Sequence, residues 1–533
     1  MTAEALHTRV AEQAARTPDT VAVEMGRDHL TYGVVEAQSN RLARAISAAG
    51  CGKGDRVALF VPKCPEAVVA MLAVMKAGGV YVPVDLDSPA SRVAHVINKA
   101  EPALLIAHGK AHRLLADLST IVDLPRAIAR EAPGLDRAGL ELAGDYGQLS
   151  GHSADTLPPL SAGEDLAHLL FTSGSTGLPK GVQITHANAC SYLDWSTAYF
   201  GMRVGDRVSG HPPLHFDLST FDIYAALSTG ATLCMVPPAA NLLAPKLADF
   251  IRDAALNQWF SVPSILTYLA NFDVVAEGDF PALKRLMWCG EAMPPATLIY
   301  WMERLPHVEF TNLYGPTEAT IASSFHTVRG IPASVMDATP IGKPCGGETL
   351  HVLDEHLRPV PDGEIGEIYI GGVGLSPGYW RDAEKTEAAF RIVTETDGRK
   401  TRIYRTGDLG RRSEDGNFHY HGRTDSQIKN RGYRIELGEI EVAVNSLEYL
   451  QESAIVGVDV GGFEGTAICC AYVAEPGKDA VPQQIRKDLG SIIPRYMLPT
   501  QWIPLESLPK NANGKTDRPA LRDLFRGQMV GTS

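Results

Sequence analysis

The sequence predicts an α/β protein, with a large layered N-terminal region and a small α+β domain towards its C-terminal end. Two observations predict it. Over the first two-thirds, apolar residues repeat alternately with helical and strand spacing, the pattern of parallel sheets covered by helices. After about residue 340 the spacing changes to strand alternation broken by Asp-Gly turns, as antiparallel hairpins require. At 533 residues the chain exceeds one ordinary core, and its length corresponds to about three to four domain-sized units.

Taken in order, residues 36–49 form an amphipathic helix closed by Gly50, and 56–61 a short apolar strand. Residues 67–77 are helical again, and 104–107 strand-like. The apolar run at 67–75 is cut by Lys76 and the Gly78-Gly79 pair, so it is too short to span a bilayer. Residues 137–163, rich in Gly, Ser, Asp and Pro, read as a loop leading into a strand at 167–171. Residues 366–371 alternate, and Asp397-Gly398 and Asp415-Gly416 are hairpin turns between strand-like flanks. From Ser426 small segments resume, with strands at 453–458 and 467–473 and a helix at 482–493. The domain boundary falls at Asp425, dividing the chain into 1–424 and 425–533, and no internal repeat is visible.

Composition narrows the function. Hydrophobic residues make up 45% and charged residues 21%, as in soluble globular proteins. A formal net charge of −13 argues against a nucleic-acid partner. Eight scattered cysteines show no Cys-x-x-Cys pair and no metal-ligand spacing, which reads as free thiols in a reducing compartment. Met1-Thr-Ala-Glu-Ala has no signal pattern, so a cytoplasmic protein with no membrane partner is expected.

The most informative stretch is Phe171-Thr-Ser-Gly-Ser-Thr-Gly-Leu-Pro-Lys-Gly-Val182. Hydroxyls, backbone N–H groups and one lysine make a loop able to wrap polyphosphate oxygens. It is not a P-loop, since Pro179 stands five residues after Gly174 where a second glycine is needed. Alone, such a run reads equally well as a surface loop.

It does not stand alone. Leu30-Thr-Tyr32, Lys76-Ala-Gly-Gly-Val-Tyr-Val-Pro83, Asn312-Leu-Tyr-Gly-Pro-Thr-Glu318, Tyr404-Arg-Thr-Gly-Asp-Leu409, the segment Gly422 to Glu439 and Pro509-Lys-Asn-Ala-Asn-Gly-Lys515 follow in order. Together they resemble the core motifs of nonribosomal peptide synthetase adenylation domains, of the acyl-CoA synthetase and luciferase superfamily. The resemblance runs from Leu30 to Lys515. It implies a small β-barrel-like part beside the layered sheets and a mobile C-terminal domain. It also implies ATP and Mg²⁺, with formation of an acyl-adenylate and pyrophosphate.

By the same resemblance, Thr172, Ser173, Gly174, Ser175, Thr176, Gly177 and Lys180 handle the β- and γ-phosphates. Tyr314 lies against adenine, Asn312 meets its amino edge, and Gly315 belongs to the same turn. Thr317 meets the α-phosphate and Glu318 holds the metal, for which a carboxylate plus phosphate oxygens is a usual shell. Asp408 accepts from the ribose hydroxyls, with Tyr420 and Arg423 nearby. Lys515 is the catalytic lysine, bridging the substrate carboxylate and the ribose–phosphate oxygens. Asp425 matches the hinge, while Phe216, Lys429 and Gly432 match the channel for a phosphopantetheine thiol.

Asp217 aligns with the carboxylate that pairs with an amino acid's α-ammonium; on its own, an Asp before Leu-Ser reads as a helix N-cap. The remaining pocket wall is Leu218, Phe221, Ser261, Met287, Cys289, Leu313, Ile321 and Ala322. It has no second charge, and two bulky apolar side chains near its floor, so a small neutral amino acid is expected, alanine first, with proline, serine and valine open. The sequence holds no carrier segment, which predicts loading of a separate carrier protein. The C-terminal basic residues Arg486, Lys487, Arg495, Lys510, Arg518, Arg522 and Arg526 would offer that acidic partner a docking face.

Overall fold

The computed structural model describes residues 4–130, 140–174, 178–335, 337–394, 398–461, 465–511 and 516–530. The chain divides into two compact units. The first comprises Met1–Leu86, Ile97–Leu170 and Gly181–Thr424; the second comprises Asp87–Val96, Phe171–Lys180 and Asp425–Ser533.

In the first unit, helix Pro65–Lys76 is buried at every residue but Glu66. A helix apolar on all sides must lie inside a core or a membrane, and here it lies in the core. Lys76 ends the apolar run with its Nζ buried, 2.6 Å from Glu36 Oε2 and 2.8 Å from Asn40 Oδ1. Among the described residues no helix is long and apolar enough to cross a membrane.

One sheet has seven strands, in the order Leu142–Asp145, Ala127–Arg130, Leu104–His108, Arg56–Phe60, Val80–Pro83, Leu166–Thr172 and Lys180–Thr185. Its edge strand, Leu142–Asp145, lies where the sequence suggested only a loop. It pairs parallel to Ala127–Arg130. No residue of it is fully buried, so burial imposed no apolar alternation for the sequence to display.

A second sheet has nine strands. At its centre Arg207–Gly210, Gln258–Ser261, Arg285–Cys289 and Glu309–Tyr314 run parallel. The small β part is a five-stranded antiparallel sheet built from Glu348–Leu353, Gly366–Gly372, Phe390–Thr394, Lys400–Arg412 and Phe418–Arg423. Asp397 lies outside the described residues. The second turn is formed: Gly416 has φ +82°, and Asp415 Oδ1 accepts from Asn417 N at 3.0 Å.

The second unit carries a three-stranded sheet, Leu450–Gly461, Gly465–Ala474 and Gln501–Pro504. Strand alternation divides its side chains between two cores. Ile455, Ile468, Cys470 and Tyr472 pack in one, and Ala454, Val456, Cys469 and Ala471 in the other. Helix Pro482–Leu489 ends four residues before the sequence predicted, at Gly490 and ahead of Pro494. Glycine's backbone freedom and proline's missing N–H both disfavour continuation.

Candidate active site

Three neighbouring parallel strands bring residues predicted to line the pocket to their C-terminal ends, where open α/β sheets bind ligands. Ser261 closes one strand, Cys289 the next, and Asn312, Leu313 and Tyr314 the third. Cys289 faces Leu313 across the pairing, and Met287 shares its face by alternation. Leu218, Phe221, Met287, Cys289, Leu313, Ile321 and Ala322 are all buried in one packed cluster. Ser261 is fully buried too, but its Oγ accepts from Trp259 Nε1 at 2.9 Å and donates to Val262 O at 3.3 Å. Its hydroxyl is therefore already engaged.

Asp217 precedes helix Leu218–Thr229 but makes no side-chain cap. Its Oδ2 accepts instead from Thr317 Oγ1 at 2.6 Å. Two residues assigned to different substrates thus stand one hydrogen bond apart. Glu318 is wholly buried, and its Oε1 accepts from Tyr379 Oη at 2.7 Å. Among the described residues no group of three or more His, Cys, Asp or Glu is arranged to hold a metal. A cation at Glu318 would draw its remaining oxygen ligands from phosphate and water, a donor set that suits Mg²⁺.

The backbone after Glu318 is strained. Thr320 and Ile321 have φ of +58° and +74°, values that β-branched residues avoid. Thr320 Oγ1 donates to Gly374 O at 2.6 Å and holds the turn. Gly315 permits the fold-back, since a Cβ there would lie 2.6 Å from Ala322 Cα. Such strain persists only where surrounding contacts over-determine it.

Tyr314 Oη donates to Asp408 Oδ2 at 2.6 Å, and Arg423 pairs with Asp408 Oδ1. Burial, with Asp408 alongside, holds the Tyr314 phenol well above its ordinary pKa, so it stays a neutral donor. Asn312 Nδ2 donates to Pro340 O at 2.8 Å. Tyr420 stands opposite Gly410 in the pairing and is 38% exposed. Phe216 is half-buried, with its ring 5.1 Å from that of His215.

In the second unit, Ser173 Oγ donates to Arg434 O at 2.6 Å, and Thr172 Oγ1 is buried with no partner among the described residues. An unmatched buried hydroxyl suits an oxygen-rich ligand such as phosphate. A Cβ on Gly174 would sit 2.2 Å from Leu178 O, so only glycine allows this approach. Lys180 opens the strand Lys180–Thr185. Ser175, Thr176, Gly177 and Lys515 lie outside the described residues.

Lys429 pairs with Arg434 in a hairpin whose two-residue turn is Arg431-Gly432. Both turn residues have positive φ, +52° and +81°, as a type I′ turn requires. Gly432 is thus explained by the turn itself. Asp425 Oδ1 accepts from Gln427 N at 3.1 Å. Of the C-terminal basic residues, Lys510, Arg518 and Arg526 form ion pairs with Glu452, Glu441 and Asp523.

Sequence reading missed Tyr379 and Thr320. Both act on partners more than fifty residues away, through a single hydroxyl that no motif marks.

Comparison with known proteins adds the family. Residues 10–380 match the AMP-binding enzyme family, and 439–515 match the AMP-binding enzyme C-terminal domain. An L-proline–[L-prolyl-carrier protein] ligase of Streptomyces coelicolor is 35% identical, over 92% of this chain and 92% of that protein. Tyrocidine synthase 3 of Brevibacillus parabrevis is 34% identical over 97% of this chain, which spans only 8% of that protein's length. Among solved structures, the Vibrio cholerae adenylation domain AlmE, in complex with glycyl-adenosine-5'-phosphate, superposes with a TM-score of 0.84. At 24% identity, with 98% of each chain covered, that likeness shows a shared fold.

Proposed function

This chain belongs to the family of AMP-binding enzymes, and on that premise we propose that it activates a small neutral amino acid with ATP as the aminoacyl adenylate, then passes the aminoacyl group to the phosphopantetheine thiol of a carrier protein. The observation that carries this reading is the 2.6 Å hydrogen bond between Thr317 and Asp217. It supports the reading because the residue proposed to meet the α-phosphate then stands beside the residue proposed to meet the α-ammonium, and proximity of the two reactants is what the attack needs.

A carboxylate oxygen of the amino acid attacks the α-phosphorus, and the bond to pyrophosphate breaks. Asp217 pairs with the ammonium, which would otherwise be buried without a counter-ion. Thr317 donates to the α-phosphate oxygen on which charge develops. Asp408, fixed by Arg423 and Tyr314, accepts from the ribose hydroxyls. Thr172, Ser173 and Lys180 engage the terminal phosphates, and Lys515 neutralises the approaching anions. Glu318 would hold Mg²⁺, which supplies positive charge to the polyphosphate when bound.

The relative named as an L-proline–[L-prolyl-carrier protein] ligase supports both an amino acid and a carrier protein as partners. Apart from Asp217 and Ser261, whose hydroxyl is already engaged, the wall is apolar and buried, which favours a small neutral side chain, alanine on these residues alone. Asp425 is the hinge between the two half-reactions, and Phe216, Lys429 and Gly432 line the thiol's approach.

Pyrophosphate exchange across all amino acids, plus a few fatty and aryl acids, tests the reading. Exchange confined to small neutral amino acids is expected. Exchange only with fatty or aryl acids, followed by transfer to free CoA, would replace it with an acyl- or aryl-CoA ligase. No exchange by the folded protein would leave a nucleotide-binding relative without activity.

A further inference from the structure

One buried residue beside the proposed pocket wall belongs to no motif. Tyr192 stands in helix His186–Phe200, and its ring meets Phe221 edge-on, with centroids 5.8 Å apart and planes at 82°. It is 5% exposed and packs in the same cluster as Leu218, Met287, Cys289 and Ala322. Its Oη has no hydrogen-bond partner among the described residues. Cys345, Cys289 and Asp217 are the ionisable groups whose charge it would feel most, and burial keeps the phenol protonated. Ser323, next in the chain to Ala322, carries another buried hydroxyl without a partner among the described residues, and its carbonyl accepts from Cys345 N at 2.9 Å.

A buried donor left unmatched is costly, and a site that keeps one is shaped for a ligand that matches it. We propose that the Tyr192 hydroxyl is the polar floor of the amino-acid pocket and selects a short side chain ending in a neutral hydrogen-bonding group, a hydroxyl above all. A charged tip does not fit. Asp217 is committed to the ammonium, and the buried Asp222 already faces the charge of Lys63, whose Nζ donates to His211 O at 2.7 Å. The bulky Phe221 in edge contact with Tyr192 favours a short chain. This inference rests on the adenylation reading, and moves the first choice from a bare methyl to a methyl bearing oxygen.

The test compares pyrophosphate exchange with L-serine and with its isostere L-2-aminobutyrate, in the wild-type protein and in Tyr192→Phe. The wild type is expected to prefer L-serine at least tenfold in kcat/KM. Tyr192→Phe should shrink that preference tenfold or more by losing L-serine, with L-2-aminobutyrate altered less than threefold. Without ligands the Phe variant should melt no lower than wild type, because it only sheds an unmatched hydroxyl, and this separates a lost bond from a lost fold. Exchange with an unchanged ratio, or a wild-type preference for L-2-aminobutyrate, would overturn the role of Tyr192 alone. Absence of exchange with any amino acid would overturn the adenylation reading and this inference together.

Discussion

Asp217 accepts from Thr317 through one short hydrogen bond, and on the proposed reading that bond is where amino-acid recognition meets phosphate chemistry. Asp217→Ala should therefore lower kcat/KM for the amino acid by two decades or more, about 3 kcal/mol, with KM for ATP little changed. Steady-state exchange kinetics check the split; equal loss in both substrates would point to a collapsed site. Lys515→Ala should slow adenylation by about two to three decades, about 3–4 kcal/mol, read by the same exchange assay. The motifs singled out Asp217, Thr317 and Glu318 because each has fixed neighbours in the sequence, and the structure brings Asp217 and Thr317 into contact. Tyr379, which supports Glu318 across 61 residues of chain, was not. A lone tyrosine carries no spacing, and only the fold supplies its partner.

Elements carry the next level. The type I′ turn at Arg431-Gly432 gives the second unit a rigid hairpin, and Asp425 precedes it by a few residues. Proline fixes φ and removes the backbone N–H. Asp425→Pro should leave pyrophosphate exchange within a few-fold of wild type while cutting thioester formation on a carrier protein at least tenfold. Radiolabel transfer to the carrier measures the second step, and parallel loss of both would remove the hinge assignment. Buried elements announced themselves in the sequence: residues 67–75 are apolar on every face because every one of them is buried. Strand Leu142–Asp145 did not, since an edge strand with no fully buried residue leaves polar residues in place. The two-residue turn was also hidden, because Arg431 at φ +52° breaks the usual preference for Asn or Gly there.

At the scale of the whole molecule, buried histidines set the acid limit. His7, His168, His186 and His211 are each held near a pKa of about 3, chiefly by burial. Their unfolded values are about 6.5, so below that pH the unfolded chain binds protons that the native protein refuses. Stability is full above pH 6.5 and falls as pH drops towards 3. At pH 5.5 each histidine costs on the order of 1 kcal/mol, so together they weigh noticeably against the stability of an ordinary domain. Denaturant melts at pH 7.5 and 5.5 check this; equal midpoints would contradict it. The layered sheets, the antiparallel part and the order of motifs were readable because hydrophobic spacing and motif order are local properties. The meeting of Asp217 with Thr317, a hundred residues apart, is a product of strand order and appears only in three dimensions. The most direct test of the central claim is mass-spectrometric detection of the acyl-AMP formed from ATP and a small amino acid, set against the same acid lacking its α-amino group. Adenylate from the amino acid and almost none from its deaminated counterpart is the predicted result. Equal adenylate from both would contradict the assignment of Asp217 and, with it, the reading of this protein as an amino-acid ligase.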